Sequence, residues 1–416
     1  MKHWLLLWLV LGSLVSQAQG QSRARIRLQL DPTQQHFRCR YTLRLPADTA
    51  HGPVLLNLNR QFTVRGVRSF RLGGLGIRPY FYSALQDTMQ GILLGYPGLK
   101  HRRRRVTIAY EGTLTGKFAT AQVMELSRNA LWVPFRPNHE DSLLTYTLDV
   151  RVPPAFIVVS TLLPTRARVG RYQFRGRTAT IEPTALASNN FHQLATPPPG
   201  PAVRLVKAGP LLMPDTLLMA EATRIIGYYN QSIGRDDAVS RFSVLLPSTN
   251  RNASALLDNA VNITYSDFDV RKREDRLILA HEISHKWWAY GSISSYEEWL
   301  NEAFATYSSL LYLRAAGDTT GFRLELNKRL TAAAGAPAII GFDKATHDYP
   351  TTRRVVYDKG TAILHALHTR LSDEKFLRIL AATAAQKTDT TERLLAIVAK
   401  EAGSETQAWL RELLTH

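Results

Sequence analysis

The feature that most restricts the fold is a change of hydrophobic period part-way along the chain. From Arg23 to about Thr196 apolar and polar residues alternate: Ala24, Ile26, Leu28 and Leu30 interleave with Arg23, Arg25, Arg27 and Gln29. The same period returns in Val54, Leu56 and Leu58, and in Leu144, Tyr146, Leu148, Val150 and Val152. A period of two puts successive side chains on opposite faces of a strand, so each run predicts a strand with one buried face. Turn-forming stretches such as LPADTAHGP and FRPNHED separate the runs. This half predicts an all-β domain, a sandwich or a curved sheet.

TPPPGP, residues 196–201, can continue neither a helix nor a central strand. A domain boundary placed there leaves a β domain over 21–196 and a second domain over 197–416. Beyond it the period becomes helical, beginning with Asp215 to Ser232 (Leu218, Ala222, Ile225, Ile226, Tyr229). RFSVLLPS and VNITYSD then predict two short strands, and helices follow to the end. The fold class is α+β, an all-β domain followed by a mainly helical domain with a small sheet.

At 416 residues, 45% of them hydrophobic, the chain can bury two cores, and a disordered class is excluded. Its single cysteine, Cys39, excludes an intrachain disulfide. Cys39 shares the apolar side of a strand with Phe37, Tyr41, Leu43 and Leu45, which predicts a buried small hydrophobe. Residues 1–20, MKHWLLLWLVLGSLVSQAQG, have the basic start, apolar run and small residues of a secretory signal cleaved near Ala18 or Gly20. Export to the periplasm or the exterior is the expectation. No later stretch approaches the roughly 20 apolar residues of a membrane span. A net charge of +18 predicts association with anionic envelope surfaces, acidic polymers or lipid head groups, while nucleic acid is not expected. HRRRRV, residues 101–106, reads as a basic turn entering a strand.

HEISHKWW, residues 281–288, places His281 and His285 four apart, on one face if the segment is helical. The surrounding RLILAHEISHKWWAY has no proline or glycine to prevent that. A zinc site used for hydrolysis needs three protein ligands and an open position for water. SSYEEWLNEAFATYSSLLYL offers the third: Ser294 with Glu297, or Ser295 with Glu298, makes a capping box that starts a helix, with Glu302 about two turns in. Leu300, Phe304, Tyr307 and Leu311 give Glu302 an apolar setting, which a carboxylate tolerates when it meets a cation.

HEISHKWW followed by WLNEAFATY resembles the gluzincin pattern of the aminopeptidase N and leukotriene hydrolase family. VVYDKGTAILHAL, residues 355–367, is similar to the family's Tyr-x-Lys-Gly segment. The resemblance implies a thermolysin-like catalytic domain over 197–416 and one Zn2+ ion held by His281, His285 and Glu302. It also implies Glu282 as general base toward the zinc-bound water and Tyr357 as a hydrogen-bond donor to the transition state.

The pattern is broken in places. Sixteen residues separate His285 from Glu302, where the family has 18; the turn around AYGSISS can absorb the difference. The family's Gly-x-Met-Glu-Asn loop, whose glutamate holds the substrate's amino group, is replaced by ALLDN, leaving Asp258 as the candidate amine-binding residue. A glutamate found seven positions after the third ligand is here Ser309. The family's C-terminal helical domain has no counterpart, so the resemblance is to a short form. His365 and His368 are read as packing residues and His139 as a turn residue. The expectation is an exported zinc metallopeptidase acting on peptides, most simply an aminopeptidase. An endopeptidase with the same site, or an inactive binding or scaffold protein on the same fold, are the alternatives.

Overall fold

The computed structural model describes residues 22–45, 52–96, 104–140, 142–197, 199–249, 253–256, 260–263 and 268–416. The signal-like residues 1–20, Asp258 and the start of HRRRRV lie outside them. The chain divides into two compact units, Met1–Tyr82 with Asp87–Asn190 and Ser83–Gln86 with Phe191–His416.

In the first unit the alternating runs assemble a seven-stranded sheet. Its spatial order is Arg166–Arg168, Arg171–Ala179, Leu143–Arg151, Ser22–Asp31, His36–Leu45, Arg104–Thr113 and Thr63–Ser69. Only Ser22–Asp31 with Leu143–Arg151 is a parallel pair within it. Two three-stranded sheets accompany it, and their inward residues (Leu56, Ile92, Leu126, Val158) join Ile26, Leu28, Tyr41, Ile108 and Leu148 of the large sheet in one buried cluster. This is a β-sandwich. Alternation decides it: a strand with one apolar face must cover that face with another layer. Cys39 is 4% exposed within this core, and burial pushes its thiol up to about 12.

The second unit opens with a five-stranded sheet in the order Phe191–Ala195, Ala202–Ala208, Arg241–Leu246, Ala260–Ile263, Ala253–Leu256, parallel at the centre and antiparallel at both edges. Residues 196–201 join the first two strands of this sheet, and Thr196 N donates to Val203 O at 2.9 Å. The division between units therefore falls at Asn190/Phe191, ahead of the prolines. Prolines cannot donate within a ladder, but the end of a hairpin needs no ladder donors there. Helices follow: α1 (Met213–Ser232), α2 (Arg273–Ser284), α3 (Trp299–Ala315), α4 (Thr319–Ala333), α5 (Tyr349–Arg353), α6 (Gly360–Arg370), α7 (Asp373–Ala385), α8 (Thr391–Ala402) and α9 (Ser404–Thr415). They share one core that includes Tyr229, Leu279, Ile283, Trp288, Trp299, Phe304 and Leu364. No helix among the described residues is long and apolar enough to cross a membrane.

Candidate metal centre

Helix α2 ends at Ser284, so His281 lies in its last turn and His285 is the C-cap, still in helical conformation. That suffices to keep the two imidazoles on one face. The helix stops because Ser284 turns its hydroxyl back onto the His281 carbonyl at 2.7 Å and the next amides bond three residues back. From α1, the Tyr229 hydroxyl donates to the Ala280 carbonyl at 3.1 Å and braces the turn that carries His281.

Glu302 arrives on α3. Ser295 caps the entry by accepting from Glu297 N at 3.3 Å, and a short 3-10 turn, Tyr296–Glu298, leads into the α-helix at Trp299. Glu302 thus sits in the first α-helical turn of a helix already started by the 3-10 segment. Of the two expected capping boxes, Ser295 supplies the cap, but Glu298 pairs with Lys344 and Glu297 accepts from Thr391 at both its amide and its hydroxyl. The short connection is drawn in by Asn301, whose amide accepts from Gly291 N at 2.9 Å and donates to Gly291 O at 2.8 Å. A Cβ at Gly291 would meet the Glu297 carbonyl at 2.1 Å, so only glycine permits this approach.

The three side chains converge. His281 Nε2 lies 3.2 Å and His285 Nε2 3.7 Å from Glu302 Oε2, with 3.1 Å between the two nitrogens. One donor atom from each falls within 4.8 Å of the others. Each ring is oriented from its far side. His285 Nδ1 donates to the Trp288 carbonyl at 2.7 Å, which leaves a lone pair on Nε2, while His281 Nδ1 faces the Thr306 hydroxyl at 3.4 Å. Lone pairs of two imidazoles and a carboxylate aimed at one point repel unless a cation sits among them. The donor set, two imidazoles and one carboxylate, fits a zinc ion with a position left open. Burial pushes the Glu302 carboxyl up, but the neighbouring His285 and His281 outweigh it and bring it down to about 2.

Tyr357 sits in a π-helical turn, Arg354–Lys359, between α5 and α6. Such turns widen a helix and re-aim the side chains they carry. Its ring stacks on His281 at 6.2 Å between centroids, with the Arg353 guanidinium 4.4 Å from the ring centroid. Burial first, then the charges of Glu302 and Glu298, hold its phenol well above the usual range, so it stays protonated and able to donate. Gly360 ends the turn against α3, where a Cβ would lie 2.5 Å from that of Ala303. Glu282 lies half-buried beside His281 in the last turn of α2.

Other candidates fall elsewhere. Ser309 is buried and turns its hydroxyl onto the Thr306 carbonyl at 2.7 Å; Thr306, one turn after Glu302, faces His281 in its stead. His368 and His365 both meet the Tyr307 hydroxyl, at 2.8 and 3.3 Å, and His368 Nε2 binds Asp373 at 2.7 Å. His139 sits in a turn against Ser142. Thr306, Trp288 and Asn301 lie within the quoted motifs, but sequence reasoning gave them no role. The one available signal was that Thr306 falls four residues after Glu302 on the same helix face.

The Peptidase family M1 domain model matches residues 249–410, the stretch that holds all three converging residues and Tyr357. This stretch is thus similar to the catalytic domain of peptidase family M1. The chain is 27% identical over 151 residues to Aminopeptidase M1-B of Oryza sativa subsp. japonica, a match covering 32% of this chain and 16% of that protein. It is 30% identical over 139 residues to Endoplasmic reticulum aminopeptidase 2 of Bos taurus, covering 31% of this chain and 14% of that one. The chain thus matches only a small part of these curated relatives. Over its greater length it has the fold of an M1 zinc metallopeptidase from Deinococcus radiodurans, with a TM-score of 0.71 at 18% identity, covering 94% of this chain and 93% of that one. A mutant of that protein bound to a Tyr-Ser-Ala substrate superposes with a TM-score of 0.70. The β unit followed by a helical unit is therefore the fold of these two-domain M1 zinc metallopeptidases.

Proposed function

We propose that the protein is an exported zinc metallopeptidase that removes residues from the amino end of peptides. The observation that carries the reading is the convergence of His281 Nε2, His285 Nε2 and Glu302 Oε2, with the Tyr357 ring stacked on His281. When bound, zinc supplies Lewis acidity to a carbonyl and lowers the pKa of its water towards roughly 7. Glu282, on the turn that carries His281, takes the proton of the attacking water and hands it to the leaving amine. Tyr357, kept protonated by burial, donates to the carbonyl oxygen as negative charge builds there. Trp288 and Thr306 hold the two imidazoles in place. Cleavage at the amino end is supported by the aminopeptidase names of the two curated relatives, and export by the composition of residues 1–20.

The test pairs zinc analysis of the purified protein with hydrolysis of aminoacyl amides and their N-acetylated counterparts, by wild type and Glu282→Gln. One zinc per chain and cleavage of the free amines alone are expected. Glu282→Gln should keep its zinc and lose activity by roughly 10²–10⁴-fold. Equal cleavage of the acetylated substrates identifies an endopeptidase instead. A zinc-loaded protein inert towards both substrates identifies a binding protein on the same fold. Amino-terminal sequencing of the exported protein checks the signal: a start near Ala18 or Gly20 is expected, and a chain that still begins at Met1 overturns it.

A further inference from the structure

The polar face of the large sheet in the β unit is an arginine surface. Apolar residues of its strands point into the sandwich, so alternation sends Arg23, Arg25 and Arg27 of one strand and Arg38, Arg40 and Arg44 of the next to the other side. Across this face runs a trough of about 1190 Å³ lined by nine arginines, no lysine and two carboxylates, Glu111 and Asp149. Arg25 pairs with Asp149 at 3.3 Å, and Arg38 and Arg65 share Glu111 at 3.4 and 2.7 Å. The other six, Arg27, Arg40, Arg151, Arg166, Arg168 and Arg171, make no ion pair with a carboxylate among the described residues.

These six are not scattered. Five of them stand in register against one another, Arg27 opposite Arg40 and Arg171 opposite both Arg151 and Arg168, while the Asp149 that faces Arg27 from its other neighbour is paired with Arg25. Like charges directly opposite weaken a strand pair, and a bound anion relieves that repulsion. A phosphate, with oxygens on several sides, can accept from two facing guanidinium groups at once, and the planar fork of arginine suits such paired bonds better than the point charge of lysine. The opposed arginines extend over five neighbouring strands, about 19 Å at the usual strand spacing of roughly 4.8 Å. That length takes several phosphates in a row, and the concave shape suits a chain more than a flat bilayer. Only Tyr110 and Tyr172 among the lining residues are aromatic, and Tyr110 is buried, so base stacking of the kind that holds single-stranded nucleic acid has little platform.

We propose that this trough binds an extended polymer carrying phosphate groups along its length, laid across the strands of the large sheet. The expected affinity for anionic envelope material thereby gains a location and a ligand class. The site is independent of the metal centre, and its test reads binding, not hydrolysis.

The probe is fluorescently labelled inorganic polyphosphate of about 20 units, titrated against the full chain by anisotropy at 50 and 200 mM salt, estimates chosen to span a counterion-release range. Wild type should bind, with an affinity that falls steeply with salt. Arg27→Gln, Arg40→Gln and Arg168→Gln combined should weaken it by on the order of tenfold or more. An equal loss of charge on the exposed helical unit, Arg235→Gln, Arg323→Gln and Lys400→Gln, should change it less than about twofold. The trough positions are exposed, so thermal melts should show the first triple variant folded. Equal weakening by both triple variants reduces the effect to general charge and overturns the site. No binding at the lower salt, tighter binding of single-stranded DNA of matched charge, or binding to phosphatidylglycerol vesicles without binding to polyphosphate, each overturns the proposed ligand.

Discussion

Charge is handled in opposite ways in the interior of the helical unit and on the open sheet face of the β unit. In the helical unit ionised groups that lie inside have partners: Lys207 on Asp215 at 2.9 Å with side chains 6% and 3% exposed, buried Asp358 on the partly exposed Arg329 at 3.0 Å, and Glu302 facing two histidines. On the β unit the arginine trough is open to water and holds nine cations against two carboxylates. Solvent explains the contrast. Water screens like charges on a surface, so imbalance there is tolerable; inside, an unpaired charge loses its hydration and gains nothing. An imbalance that survives indoors therefore points to a missing cation, while one outdoors needs none and is free to attract an anion.

The contrast is open to test by removing one charge from each place. Lys207→Met strands Asp215 in the core with only the Leu212 amide, 2.6 Å away, as a donor. It should destabilise the protein by about 3–5 kcal/mol in urea unfolding; a loss below 1 kcal/mol would break the claim that interior pairing is obligatory. Tyr357→Phe keeps the ring on His281 but removes the hydroxyl, and kcat should fall by about 10²–10³ with zinc retained. Loss of zinc in that variant would make Tyr357 a support for the cage instead of a donor to substrate.

Acid should act on the helical unit next. Burial lowers the pKa of His365 and His368 from the ordinary 6.5, with Arg314 adding to the effect; Asp373 pulls His368 the other way without reversing it. Folded-state values below the unfolded ones mean that the unfolded chain binds more protons as pH falls. The stability held above about pH 6.5 should therefore drain away below it. Urea midpoints across that range measure it, and replacing both histidines by glutamine should flatten the curve. The smallest effect belongs to the trough: Arg27→Gln alone should leave the melting temperature unchanged or slightly raised, because it relieves a repulsion across from Arg40. A clear fall would mean that the guanidinium holds the fold in a way the ion pairs do not reveal.

Much of this was legible in the chain, and what was not has a common cause. The strand half, α1, the pairing of His281 with His285 and the helix carrying Glu302 all follow from local spacing, because the geometry of a helix or strand is set within a few residues. The proline-rich TPPPGP was misleading as a boundary because it resembles a linker, while its role depends on Phe191–Ala195 pairing with Ala202–Ala208. The Asn301–Gly291 tie, the Trp288 carbonyl and the Thr306 hydroxyl were invisible, since each works through a contact that no periodicity announces. Asp258 lies outside the described residues.

By itself, then, the sequence determined which residues could carry the chemistry and which faces would be buried, because both depend on residue type and short-range repeat. Only the tertiary structure decided what those residues meet. The 16 residues between His285 and Glu302 fold so that three donors converge within 4.8 Å, and strand register sets Arg27 against Arg40 and Arg151 against Arg171. Register and loop closure join residues far apart in the chain, and the free energy that selects them comes from the whole core.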